Sequence, residues 1–215
     1  MEIRQFLNFL SVAEKLKCST RHSYTSSGRH ESVAEHSWRL ALMAYLVKDE
    51  FPEADIDRVI QMCLFHDMGE AVTGDIPAFE KTSQHEETED AAVSRLLEGL
   101  PEPYFGEVSG LFREMKEQQT TEAKLYKALD KLEALIQHNE ADLSTWIPLE
   151  YDLQMTYGTK ECSFSEYIHE LRNAVREDSR RKAGMDGSGN GENEEELWAS
   201  GSGALKINPT TYHPS

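Results

Sequence analysis

The chain has 215 residues, 39% of them hydrophobic, enough for one domain with a real core. Its 39 acidic against 22 basic residues leave a formal net charge of -17, a surface that repels phosphate backbones and anionic bilayers. Broad nucleic-acid and membrane binding are therefore not expected, and a small phosphorylated ligand would need local positive charge from a metal or an arginine.

In chain order, almost every segment reads as amphipathic helix. Residues 2–17 place Ile3, Phe6, Leu7, Leu10, Ala13 and Leu16 on one face. The stretch 18–31 is polar and loop-like. Helices over 32–50 and 55–66 follow, split by Phe51-Pro52, and 67–72 continues as a short helix before the turn Gly74-Asp75-Ile76-Pro77. Residues 85–98 and 103–118 form two more, with Gly99-Leu100-Pro101 between them. Thr121 caps a helix from Glu122 to about Asn139, whose stripe is Leu125, Ala128, Leu129, Leu132 and Ile136. A looser stretch covers 142–162, and Ser163 or Ser165 opens a last helix to about Lys182. Strand-like alternation and internal repeats are absent, so the expected fold is an all-α helical bundle over residues 1–183. From Gly184 to Ser215 the composition turns to Gly, Ser, Asn and Glu, which reads as a disordered acidic tail.

Three cysteines, Cys18, Cys63 and Cys162, show no CxxC spacing, the usage of a reducing compartment. The string MEIRQFLNFLSVAEKLK is too charged for a secretory signal, and no run is apolar enough to span a bilayer. The expected location is cytoplasmic.

The chemistry concentrates at His36, His66-Asp67 and Asp130. His36 shares a helical stripe with Val33, Leu40, Met43 and Val47, and His66 shares one with Ile56, Val59, Ile60 and Cys63. Both imidazoles thus face the core, where a polar group needs a partner. His66 and Asp67 close a helix, and successive side chains diverge by about 100° there, so both can reach one ion. Imidazole with carboxylate suits zinc, manganese, cobalt or iron. Asp130 reads equally as a ligand or as half of a surface pair with Lys127, three residues away. Glu70 stands one turn after Asp67, placed either to move protons beside a metal or as a surface glutamate. Arg21 and Arg29 lead into the His36 helix, as a phosphate clamp or as ordinary surface residues. His85 reads as an exposed helix-start residue, and with no other histidine between Asp67 and Asp130 a single metal is expected.

The strings ESVAEHSWRLALMA, LFHDMGEAVTGDIPA and EAKLYKALDKLEA resemble the HD-domain metal-dependent phosphohydrolases, and within them the YfbR-like 5′-deoxynucleotidase branch, over about residues 5–180. The resemblance implies His36, His66, Asp67 and Asp130 as ligands of one divalent ion (manganese, cobalt, magnesium or zinc). It implies Glu70, with Asp67, as catalytic; Arg21 as the 5′-phosphate arginine; Asp75 and His22 at the substrate; Glu122 near the site; and a homodimer. It departs at His22, where the branch has Trp after the arginine, so a strict deoxyribose preference is not implied; Tyr24 is a candidate stand-in. The expected activity is hydrolysis of (deoxy)ribonucleoside 5′-monophosphates to nucleoside and phosphate. The alternatives are another small phosphorylated metabolite, a di-iron oxygen-using enzyme, or a non-catalytic nucleotide-binding protein.

Overall fold

Helix α7, Thr121–Glu140, is the axis of the bundle in this computed structural model, which describes residues 1–185. The Thr120 hydroxyl accepts from the Ala123 N–H and starts the helix, one residue before the expected cap. Ala123, Leu125, Ala128, Leu129 and Leu132 of α7 are fully buried. They pack against Leu40 and Ala44 of α2 (Val33–Leu46), Val59, Met62 and Cys63 of α3 (Ile56–Phe65), and Ile168 and Val175 of α9 (Glu166–Lys182). The rest of the all-α architecture is α1 (Ile3–Ala13), α4 (Glu70–Thr73), α5 (Ser83–Leu97), α6 (Tyr104–Glu117) and α8 (Pro148–Thr156). Among the described residues no helix is long and apolar enough to cross a membrane. The expected acidic tail lies outside the described residues from position 186 onward.

Local chemistry sets the ends of the helices that carry the site. Ser32 and Glu35 form a capping box at α2: the Ser32 hydroxyl accepts from the Glu35 N–H at 3.2 Å, and Glu35 accepts from the Ser32 N–H at 2.8 Å. Asp55 caps α3, and its own N–H donates to Glu122 at 2.9 Å. Glu122 therefore ties α7 to the start of α3, whereas His66 stands at the other end of that helix. This corrects its expected place near the site.

Three other expectations change. The polar stretch 18–31 is not a loop: Thr20–Tyr24 (β1) pairs antiparallel with His30–Ser32 (β2), Thr20 opposite Ser32 and Tyr24 opposite His30. Gly28, at φ 81°, makes the connecting turn in a conformation other residues adopt rarely. The hairpin is held by polar contacts rather than apolar alternation. Gln137 of α7 donates to the Tyr24 carbonyl at 2.6 Å, and the His30 ring meets the Arg21 carbonyl at 3.0 Å. The looser stretch contains α8, begun by Pro148 at its first position. In α1 the apolar stripe does not face the core: Ile3 is 78% exposed, and Phe6, Leu7 and Leu10 are also exposed, while Phe9 and Val12 pack inward near Leu16.

Between α3 and α4 the chain turns through His66–Gly69 with no room to spare. A Cβ on Gly69 would lie 2.6 Å from Cγ of Glu89 and 3.3 Å from its carbonyl oxygen. Gly69→Ala is expected to destabilise the protein by about 1–3 kcal/mol, the usual cost of overpacking. An unchanged Tm in thermal unfolding would show that α5 yields freely at this contact.

Candidate metal and substrate site

The turn after α3 projects His66 and Asp67 toward His36 of α2 and Asp130 of α7. The His36 and His66 Nε2 atoms are 3.2 Å apart. Asp67 Oδ2 lies 2.9 Å from His66 Nε2 and 3.8 Å from His36 Nε2. Asp130 Oδ1 lies 3.4 Å from His36 Nε2 and 3.9 Å from His66 Nε2. Two donors bound at about 2.1 Å to one ion can be no more than about 4.2 Å apart, and each of these separations satisfies that limit. The two readings of Asp130 hold together: Oδ1 faces the histidines while Oδ2 accepts from Lys127 at 3.0 Å.

The outer ring nitrogens are fixed in the manner of metal-binding histidines. His66 Nδ1 meets the Cys63 carbonyl at 2.9 Å, which points the Nε2 lone pair at the cluster. His36 Nδ1 contacts Glu133, a fully buried carboxylate that also accepts from Arg39 Nε at 2.7 Å. Burial disfavours the His36 charge, but Glu133 and Asp130 outweigh it and raise its pKa to about 9. Burial likewise works against the Asp67 carboxylate, yet His66, His36 and Arg21 hold it well below the usual range. Asp130 is also held low, with Lys127 and Lys131 overcoming its burial. The donor set thus combines partly buried anionic carboxylates with oriented imidazoles, and it fits a divalent cation. Glu133→Gln is expected to weaken metal affinity by roughly 10- to 100-fold, measured by competition with a chelator. Unaltered affinity would remove Glu133 from this role.

Around the cluster stand further charged groups. Arg21, on β1, places Nη1 3.6 Å from Asp67 Oδ2 and Nε 3.4 Å from Glu31 Oε2. Glu70 begins α4 and is buried, and its Oε2 has no hydrogen-bond partner. Burial, together with Asp67 and Asp75, pushes its pKa up to about 10. Asp75 follows Gly74, whose φ of 77° turns the chain back after α4. Burial raises its pKa too, against the pull of Arg21. Arg21, His22 and Asp75 share a cavity of about 240 Å³ with Phe79, His138 and Glu150.

Arg29 and His85 lie elsewhere. Arg29 pairs with Glu35 on the exposed surface and does not line this cavity, so of its two readings the ordinary surface residue holds and the phosphate clamp does not. His85 sits in the capping box of α5 with Thr82 and is half-buried rather than exposed. Sequence reasoning missed Glu31, Glu133, His138 and Glu150. Glu133 carried a signal, since it follows Asp130 by three residues on the same helix face. Glu31 and Glu150 carried none, because their roles depend on the unforeseen hairpin and on α8.

With this geometry the chain belongs to the HD domain family, whose model matches residues 13–172. Among curated proteins it is similar to the 5′-deoxynucleotidase HDDC2 of Homo sapiens, 34% identical over 141 residues, which make up 64% of this chain and 68% of that protein. It is also similar to the 5′-deoxynucleotidase hdd1 of Schizosaccharomyces pombe, 31% identical over 156 residues, 64% of this chain and 78% of the relative. Among solved structures, a predicted metal-dependent phosphohydrolase from Magnetospirillum magnetotacticum MS-1 superposes with a TM-score of 0.71 at 29% identity, covering 84% of this chain and 96% of the other.

Proposed function

We propose that this protein is a metal-dependent phosphomonoesterase that hydrolyses (deoxy)ribonucleoside 5′-monophosphates to nucleoside and phosphate. The observation that carries this reading is the convergence of His36, His66, Asp67 and Asp130 beside Arg21 and the unpartnered Glu70. The 5′-deoxynucleotidase relatives support the substrate class.

His36, His66, Asp67 and Asp130 hold one divalent cation; manganese, cobalt, magnesium and zinc all suit the donors. When bound, that ion supplies a Lewis acid for a phosphoryl oxygen and a lowered pKa for a water. Arg21 meets the phosphoryl group with two parallel donors and offsets charge growing on its oxygens. Asp67 and Glu31 keep the guanidinium in place for that contact. Water attacks phosphorus, the ester P–O bond breaks, and the leaving 5′-oxygen requires a proton. Glu70 presents its unpartnered oxygen beside the cluster, so it serves as the proton carrier, giving a proton to the leaving oxygen and regaining one from the attacking water. Asp75 accepts from the sugar or the site water.

The test is phosphate release from ribo- and deoxyribonucleoside 5′-monophosphates with each of the four metals. Release that depends on the metal supports the reading. No release with any of them moves the activity to another phosphorylated metabolite, or to nucleotide binding alone.

The unpartnered apolar stripe of α1 also supports self-association, and we assign the protein to a homodimer in the cytoplasm. Sedimentation is expected to give a dimeric mass, and Leu7→Asp to shift it toward the monomer. A monomeric wild type would dismiss this assignment.

A further inference from the structure

Glu150, on the first turn of α8, divides its carboxylate between two tasks. Oε2 accepts from the Ile147 N–H at 2.7 Å and caps the helix. Oε1 has no hydrogen-bond partner although the residue is 2% exposed. His22 Nε2 lies 3.0 Å away but out of line for a hydrogen bond, and it too is buried without a partner. His138 Nε2 stands 3.4 Å from the same oxygen. Burial lowers the His138 pKa, so this ring is neutral at physiological pH. Its backbone is fixed by the Trp146 indole, which donates to the His138 carbonyl at 3.0 Å.

A buried carboxylate oxygen without a donor is costly, and an ionised carboxylate can only accept. Glu150 and His22 both line the cavity that Arg21 and Asp75 enter from the metal cluster. At about 240 Å³ the cavity is below the roughly 300–1,000 Å³ of typical ligand sites, the scale of one sugar ring rather than of a whole nucleotide. Phe79 and Leu153 supply apolar walls, and His22 meets the Phe79 ring edge-on at 5.6 Å. The orphaned acceptor therefore borders a small space that Arg21 and Asp75 also line.

We propose that Glu150 Oε1, flanked by His22 and His138, is the acceptor for a hydroxyl of the substrate's sugar, making these residues specificity determinants of the site. This rests on the nucleotidase reading. Carboxylates serve the same purpose at ribose hydroxyls in dinucleotide-binding folds.

The experiment compares wild type with Glu150→Gln on ribo-, 2′-deoxyribo- and 2′,3′-dideoxyribonucleoside 5′-monophosphates, and measures binding of the matching nucleosides by calorimetry. Gln retains the helix cap but presents an amide donor in place of the acceptor. Wild type is expected to favour hydroxylated sugars over dideoxyribose by roughly 10- to 100-fold in kcat/KM, the range for a hydrogen bond to a charged group. In Glu150→Gln that ratio falls toward one. Should the variant lose Tm, Glu150→Asp, which keeps the charge but withdraws it by a methylene, replaces it. If all three substrates slow by the same factor, or if wild type does not distinguish them, Glu150 is structural and the proposal fails while the nucleotidase reading stands. Hydroxyl-dependent nucleoside binding that Glu150→Gln abolishes, without any phosphate release, keeps the hydroxyl site and removes the nucleotidase reading. Neither binding nor release overturns both.

Discussion

Asp67→Ala is expected to lower phosphate release by roughly 1,000-fold or more, because losing the cation removes both the Lewis acid and the activated water. Of the four converging donors, Asp67 is the one that also meets Arg21. Asp67 Oδ2 faces His66 at 2.9 Å, Arg21 at 3.6 Å and His36 at 3.8 Å. Its removal takes one donor from the ion and one anchor from the phosphate arginine. The loss should appear twice, as bound metal by elemental analysis and as turnover at saturating metal. Asp67 is only partly buried and lies on a turn, so the fold should survive, and an unchanged circular dichroism spectrum is the control. Full metal content with unimpaired turnover would sink the assignment of this cluster as the metal site.

The helices were legible because their apolar residues recur at helical spacing and their ends carry capping chemistry. Ser32 with Glu35, and Asp55, act where their residue types suggest. His36 and His66 were legible for a related reason: an imidazole on an apolar stripe must find a partner, and each stripe points at α7. The hairpin was not legible. Strand detection relies on one apolar face, but here the polar residues Arg21, His22 and Ser23 line a cavity and Glu31 turns inward to pair with Arg21. The segment with the least core character therefore supplies three of the residues that line this cavity. For Arg29 the sequence left a clamp and an ordinary surface residue open, and the turn at Gly28, which sets it opposite Glu35, decides for the surface. The α1 stripe was legible as an apolar face but its exposure was not, since periodicity reports a face and not what covers it.

Glu70→Gln separates proton transfer from everything else the site does. Glutamine matches the shape of glutamate but has no proton to give at the leaving oxygen. A positioned general acid contributes roughly 100- to 10,000-fold, and kcat is expected to fall within that range. KM and metal content should hold, since Glu70 is outside the four converging donors. Stability should move the other way. In the metal-stripped protein the Glu70 carboxyl is buried facing Asp67 and Asp75, with Arg21 as its main favourable charge. Those surroundings keep the carboxyl protonated in the fold while the unfolded chain ionises it at neutral pH, a cost that glutamine does not carry, so Tm in the presence of chelator should rise. Loss of rate with gain of stability is the signature of a residue kept for function against the preference of the fold. A variant that loses rate, metal and stability together would mark Glu70 as structural support, and one that keeps its full rate would place the proton carrier elsewhere.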